Sequence, residues 1–211
     1  SLFDMGYSFA PHPSGGYACY ALSYAGGATL KWFRDNFSEE SYSELDEKVG
    51  TEPTDLLILP HFAGAATPYM DSESKAAILG LTFEHTKADI YKALMEGTAF
   101  EILLNIELLK KHGLSPESVV VTGGGARSDV WLSVKADILN LPVTALSSGE
   151  VGSAGTAKTA GRAIGIYGEG TLLAKPEKTV YPNKERHEFY EKQFRKYKKI
   201  YALSKEVLRG E

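Results

Sequence analysis

The strongest constraint on the fold is one segment in which valines lead into three glycines and a serine. It reads Val119-Val120-Val121-Thr122-Gly123-Gly124-Gly125-Ala126-Arg127-Ser128. The β-branched run favours a buried strand over 118–122, the glycines allow a sharp turn, and Ser128 can cap a helix over 129–139. Strand–turn–helix units of this kind predict an α/β architecture.

The remaining elements follow from hydrophobic periodicity and from helix start and stop signals. We expect strands over 17–24, 56–59 and 141–145, and helices over 28–37, 86–112, 149–166 and 183–208. Residues 38–52 are polar and acidic and predict a further helix with a loop, whereas 62–81 predict an ordered loop. The last helix carries a stripe that we expect to face the core, formed by Tyr190, Phe194, Tyr197, Tyr201 and Leu208. The small residues of 149–166 predict close packing against another element.

Charge and composition exclude several classes of protein. The 211 residues carry 23 Lys and Arg against 27 Asp and Glu, a net charge of -4. This balance disfavours electrostatic binding to nucleic acid or to anionic membranes. Cys19 is the single cysteine, and the five histidines are scattered, so the sequence predicts neither a disulfide nor a metal site. There is no transmembrane or signal segment, and we expect a cytoplasmic protein.

The glycine turn also predicts chemistry. Glycines expose backbone amides, and a helix N-terminus adds further N–H groups and a positive dipole end, so phosphate or ribose would fit there. The alternative is a tight turn that only joins strand to helix. The Gly-Lys-Ser/Thr ending of a Walker loop is missing, and Ser128 occupies the last glycine position of a dinucleotide fingerprint. A third nucleotide-binding class is therefore indicated.

A second glycine pair, Gly26-Gly27, follows the predicted first strand and precedes a predicted helix. Here too glycines lie between the end of a strand and the start of a helix, where the backbone can approach a ligand closely. The two turns could form opposite walls of one nucleotide pocket, or they could be a coincidental pair.

These segments together resemble the FGGY carbohydrate kinases, the family of xylulose, glycerol, gluconate and rhamnulose kinases. Residues 25–35 resemble the family's Gly-Gly-x-x-x-x-Trp-x-Arg-Asp segment, and 122–143 resemble its Gly-Gly-Gly-Ala-x-Ser-x-x-Trp segment with Ala-Asp-x-Leu. Between them, Thr67-Pro68-Tyr69-Met70-Asp71 is similar to Thr-Pro-Tyr-Trp-Asp, and residues 80–97 are similar to the second family signature. Four motifs in order are more specific than any one of them.

The resemblance implies an actin-like ATPase (ribonuclease H-like) fold, a mixed sheet flanked by helices. Residues 1–211 would be the C-terminal nucleotide-binding lobe, and the N-terminal sugar-binding lobe would be absent from this chain. ATP or ADP with Mg²⁺ would be the cofactors, the Mg²⁺ ligands lying mainly in the missing lobe. The nucleotide-binding residues carried over from the family are Gly27, Lys31, Gly123, Gly124, Gly125, Ala126, Arg127 and Asp129.

The sequence also departs from the family pattern. Ala65-Ala66 stand where xylulose-kinase-like members carry Glu-Arg, and Met70 replaces Trp, which suggests a divergent branch. Lys31 replaces a Gln of the glycerol branch, and Asp129 stands where some members have an Asn near adenine. The family's catalytic Asp belongs to the other lobe, so we assign no catalytic residue in this chain.

The function implied for the intact protein is ATP-dependent phosphorylation of a hydroxyl on a small sugar or polyol, xylulokinase-like. Its partners would be the N-terminal lobe, the sugar and a second copy in a homodimer. We expect the chain to be part of a longer protein and to be inactive alone. The alternative is a non-catalytic nucleotide-binding or regulatory module on the same fold. A dinucleotide-dependent oxidoreductase is disfavoured by the missing fingerprint.

Overall fold

A computed structural model describes residues 1–13, 15–147, 151–168 and 170–210 of the chain. The helices are α1 (Gly26–Phe37), α2 (Tyr42–Lys48), α3 (Lys87–Lys111), α4 (Asp129–Leu139), α5 (Val151–Ala163) and α6 (Lys184–Arg209). The strands are β1 (Ser8–Pro11), β2 (Tyr17–Tyr20), β3 (Leu57–Leu59), β4 (Ala77–Leu79), β5 (Val119–Val121), β6 (Val143–Leu146) and β7 (Pro176–Val180). Short 3-10 turns lie at Phe3–Met5 and Gly124–Ala126.

The strands form small sheets around a helical centre. β1 pairs antiparallel with β2, and β3 pairs antiparallel with β4. β5 and β6 are parallel, and β7 joins β6 in the antiparallel sense, so this three-stranded sheet is mixed. The structure therefore confirms the predicted α/β class, with a mixed sheet flanked by helices.

Helix α3 is the centre of the main core. Its N-terminus has a full capping box, in which Thr86 Oγ1 accepts from the Asp89 amide at 3.4 Å and Asp89 Oδ2 accepts from the Thr86 amide at 2.7 Å. Gly97 lets the helix lie directly on β3, because a Cβ there would be 2.4 Å from the carbonyl oxygen of Ile58. Side chains of α1, α4 and α6 complete the same hydrophobic cluster.

A buried carboxylate holds α3 and α6 together. Glu96 accepts hydrogen bonds from the Tyr190 hydroxyl at 2.7 Å and from the Thr54 hydroxyl at 2.8 Å. Burial raises the pKa of Glu96 to about 7, although these hydrogen bonds act in the opposite direction. The network fixes the position of α3 relative to the rest of the core.

Helix α4 links this core to the mixed sheet. Leu132 and Ala136 pack on Val143 and Ala145 of β6 in a second hydrophobic cluster. On the same helix, Asp137 accepts from Arg186 Nε at 2.6 Å. Helix α4, which follows the glycine turn, is therefore held from two sides.

Several predictions of the sequence analysis need correction. β1, β4 and β7 were not predicted, and the predicted strand over 17–24 ends at Tyr20. Leu208 is 57% exposed and lies outside the aromatic stripe that packs in the core. Of the described residues of α5, only Gly161 is buried, so the predicted close packing is not made against the described part of this chain and stays a prediction. The predicted start of this helix at 149–150 lies outside the described residues.

Candidate nucleotide site

The two glycine turns predicted from the sequence face the same cavity. It has a volume of about 600 Å³ and lies between the start of α1, helix α2 and the turn before α4. Gly27 lines one side, and Gly124, Gly125 and Arg127 line the other. This volume lies within the range of small-molecule sites. The turns therefore form two walls of one cavity.

The first wall is the start of α1. Gly26 has a φ of +34°, a conformation that L side chains rarely adopt, and α1 begins at this residue. The preceding residue, Ala25, has no side-chain acceptor and makes no cap hydrogen bond. The first amide groups of α1 are thus left for another acceptor, as is typical of a helix end that meets an anion.

The second wall is the glycine turn itself. Gly123 has a φ of +78°, and the chain then makes a 3-10 turn over Gly124–Ala126. Ser128 caps α4 by accepting from the Trp131 amide at 3.1 Å. The backbone of Gly125 lies on the Trp131 ring, because a Cβ there would be 2.7 Å from Cζ3. Packing on a buried indole therefore fixes the shape of this turn.

Lys135 lies beside that indole. Its Nζ is 3.7 Å from the centroid of the Trp131 ring and has no hydrogen-bond partner among the described residues. Burial lowers the pKa of Lys135 to about 7. Beside Trp131, which lines the cavity, the packing thus contains a buried basic group with no hydrogen-bond partner among the described residues.

Helix α2 supplies a third, polar wall. A capping box between Ser41 and Glu44 starts it, and Leu45 anchors it in the core. Asp46 lines the cavity, and Tyr91 Oη donates to its Oδ1 at 3.3 Å. Burial raises the pKa of this carboxyl, whereas the hydroxyls of Ser128 and Tyr91 act to lower it.

Comparison with known proteins identifies the family. The C-terminal domain of the FGGY family of carbohydrate kinases matches residues 9–164. The chain belongs to the FGGY family. A xylulose kinase of Staphylococcus epidermidis is 31% identical over 201 residues, which are 90% of this chain and 40% of that protein. The chain thus spans about 40% of the length of such relatives.

Solved FGGY kinases share the fold. A xyloylose kinase from Brucella ovis aligns with a TM-score of 0.85 and 24% identity, over 95% of this chain and 43% of that one. A glycerol kinase from Plasmodium falciparum, solved with ADP, aligns with a TM-score of 0.77 and 22% identity, over 93% and 42%. The actin-like ATPase fold that the resemblance implied is therefore confirmed.

The residues carried over from the FGGY pattern divide between two cavities. Gly27, Gly124, Gly125 and Arg127 line the first. A second cavity, of about 510 Å³, lies on the sheet side of the turn, and its lining includes Gly123, Ala126, Arg127 and Asp129. Arg127 borders both, so its guanidinium is placed to serve a ligand that passes over the turn.

Two of the carried-over side chains lie away from the first cavity. Lys31 is exposed and pairs with Asp35 one helical turn later on α1. Asp129 pairs with Lys178 of β7 at 2.6 Å, within the lining of the second cavity. Their proposed roles toward a nucleotide stay predictions.

The loop that carries the FGGY-like motif Thr67–Asp71 is held in place by contacts with α6. Asp71 accepts from Arg209 Nη2 at 2.7 Å and from the Tyr201 hydroxyl at 2.8 Å, and the guanidinium holds the pKa of this carboxyl well below its usual range. Ala65 and Ala66 are 2% and 4% exposed, so the place of the family's charged pair lies inside the fold. Asp71 therefore ties α6 to this loop.

Sequence reasoning missed the residues of α2. Residues 38–52 were predicted as a polar, acidic helix with a loop, and the charged positions carry no signal that distinguishes Asp46 from its neighbours. Tyr91, which donates to Asp46, lies in the helix predicted over 86–112 and was not singled out. Only the packing of α2 against α3 and the glycine turn brings these side chains to the cavity.

Proposed function

We propose that this chain is the nucleotide-binding lobe of an ATP-dependent carbohydrate kinase. The observation that carries the proposal is that Gly27 and Gly124, at two helix starts far apart in sequence, line one cavity of about 600 Å³. A Cβ on either glycine would meet no heavy atom of the described residues within 4 Å. Open glycine faces on both walls suit a ligand that approaches the backbone closely.

The lining fits the parts of ATP. Backbone amides at the start of α1 and around the glycine turn, together with Arg127, suit phosphate oxygens. Leu30, Tyr91 and Trp131 provide the apolar surface that a base needs. The glycerol kinase from Plasmodium falciparum that shares this fold was solved with ADP, which supports the same class of ligand here.

The contribution of this lobe to catalysis would be positioning. Phosphoryl transfer depends mainly on alignment and on charge stabilisation. ATP would supply the phosphoryl group, and the residues of the pocket would hold the nucleotide and keep its phosphates directed toward the second lobe. The proton acceptor for the sugar hydroxyl would belong to that lobe. As the family resemblance implies, we propose that the Mg²⁺ ligands lie mainly in that lobe as well.

The remaining assignments concern the intact protein. We propose a partner N-terminal lobe that binds a small sugar or polyol, with a xylulose-like ketose as the first candidate because of the Staphylococcus epidermidis relative. We also propose a homodimer in the cytoplasm. Among the described residues, no helix is both long and apolar enough to cross a membrane.

The test is ADP release by the full-length gene product with Mg-ATP across ketoses, aldoses, polyols and sugar acids. The proposal predicts turnover that one class of acceptor stimulates, and no turnover by residues 1–211 alone. Turnover by residues 1–211 alone would refute the division of labour between lobes. A folded full-length protein that binds ATP but is silent across the panel would favour the regulatory alternative.

A further inference from the structure

One side chain of the pocket does not fit a simple phosphate cradle. Asp46 adds a carboxylate to the lining of the same cavity as the glycine turn and Arg127. A carboxylate repels phosphate oxygens, so this part of the cavity must receive a portion of the ligand that is uncharged and carries hydrogen-bond donors.

The Tyr91 hydroxyl fixes the role of Asp46 as an acceptor, since it donates to Oδ1 at 3.3 Å. The neighbouring Ser128 hydroxyl acts to lower the pKa of the Asp46 carboxyl, as a group that stabilises the charged form does. A carboxylate has about four lone-pair sites, and the Tyr91 donor leaves acceptor capacity for a ligand.

The surroundings of Asp46 distinguish base from ribose. Tyr91, its donor, is 1% exposed, and Trp131 and Leu30 are buried beside the same cavity. An aromatic base gains from this apolar surface, whereas ribose hydroxyls would lose their water without full replacement. The exocyclic amine of adenine is the donor group that combines with such a surface.

We propose that Asp46 is a specificity-determining residue that accepts a hydrogen bond from the exocyclic amino group of adenine. This inference rests on the proposed function and assigns base recognition to α2. Asp129, the acidic residue that the family pattern places near adenine, instead pairs with Lys178 in the second cavity. Ser128 and Tyr91 are positioning residues for Asp46.

The test compares nucleotide dissociation constants of the full-length gene product by calorimetry. The nucleotides are ATP, ITP, GTP and 2′-deoxy-ATP, since ITP has a carbonyl in place of the amine. The wild type should bind ATP roughly ten- to hundredfold more tightly than ITP, the range expected for one hydrogen bond to a charged group. Asp46→Asn should weaken ATP binding and strengthen ITP binding, because the new amide can donate to the carbonyl.

The matched control is Glu47→Gln, the same chemical change on the adjacent, exposed residue of α2. It should retain the wild-type ratio of ATP to ITP affinity. Thermal unfolding of each variant separates a change in selectivity from a change in folding, and the ratio of two affinities is insensitive to partial unfolding.

Three results would overturn the inference alone: an unchanged ratio in Asp46→Asn, a changed ratio in Asp129→Asn instead, or a larger loss with 2′-deoxy-ATP than with ITP. Tighter binding of GTP than of ATP would overturn the assignment to adenine. Absence of any ATP binding by the wild type would overturn the proposed function and this inference with it.

Discussion

The two glycine turns look alike in sequence but differ in what requires their glycines. In the turn before α4, a Cβ on Gly125 would be 2.7 Å from the Trp131 ring, so the packing of the protein itself requires glycine. At the start of α1, a Cβ on Gly27 would meet nothing within 4 Å among the described residues, and the same holds for Gly124 of the turn before α4. Packing therefore does not require glycine at these two positions, and the proposed nucleotide would.

The comparison is tested first at Gly125. Replacing it by alanine should destabilise the fold, because Trp131 is 7% exposed and has little room to move. Overpacking of this kind costs about 1–3 kcal/mol, which lowers the unfolding temperature of a domain of this size by roughly 2–12 °C. Differential scanning calorimetry of Gly125→Ala beside Gly124→Ala measures the difference. Equal unfolding temperatures for the two variants would show that Trp131 does not constrain the turn.

The second test concerns the open glycines. Gly27→Ala and Gly124→Ala should keep the wild-type unfolding temperature but weaken ATP binding by about tenfold or more, which corresponds to about 1.4 kcal/mol. The added methyl groups fill the space where the ligand approaches the backbone. The matched control is Gly155→Ala in α5, where alanine also meets nothing and should add about 0.5–1 kcal/mol of helix stability. If neither Gly27→Ala nor Gly124→Ala changed the affinity for ATP, the nucleotide would not bind against these glycines.

The third test concerns Lys135, which packs on the Trp131 ring beside the second turn. Burial lowers the pKa of Lys135 from 10.5 to about 7, so the folded state binds its proton less tightly than the unfolded state does. The free energy of unfolding should therefore rise with pH between about 7 and 10.5 and be lowest below that window. Lys135→Met should stabilise the protein near pH 7 and flatten this rise. Burial lowers the pKa of Lys135 by more than three units, and each unit corresponds to about 1.4 kcal/mol. The burial penalty is therefore larger than the stabilisation of about 2 kcal/mol that a desolvated cation–π contact with Trp131 would give.

Denaturant unfolding across pH 6–10 measures this effect, with Lys196→Met on the exposed face of α6 as the control. The control should keep the wild-type slope against pH. A wild-type slope in Lys135→Met would mean that the buried amine does not govern stability in this range.

The parts of the fold that sequence predicted are those fixed by neighbours in the chain. The starts of α3 and α4 can be predicted from local sequence, because the capping residues Thr86 and Ser128 immediately precede these helices. Both caps form as predicted. Short strands such as β7, with charged residues and little burial, carry no such local pattern. Leu208 has the spacing of the buried stripe on the last helix, but it lies beyond the part of α6 that packs on the core and is therefore exposed.

The candidate site was predicted in the same uneven way. Glycine runs next to helix starts have a chemical meaning that can be read without the fold, and they led to Gly27 and Gly124. Asp46 has no such signature, because its role depends on α2 meeting Tyr91 and Ser128 across long sequence distances. Conversely, Asp129 occupies a family position, but its carboxylate pairs with Lys178 on the other side of the turn.

The central claim is that a nucleotide lies between the two glycine turns, and a crystal structure of the full-length gene product with ADP tests it most directly. We predict ADP in the cavity bounded by Gly27 and Gly124, with its base beside Asp46 and Trp131. ADP bound in the second cavity beside Asp129 and Lys178, or away from both turns, would contradict the account.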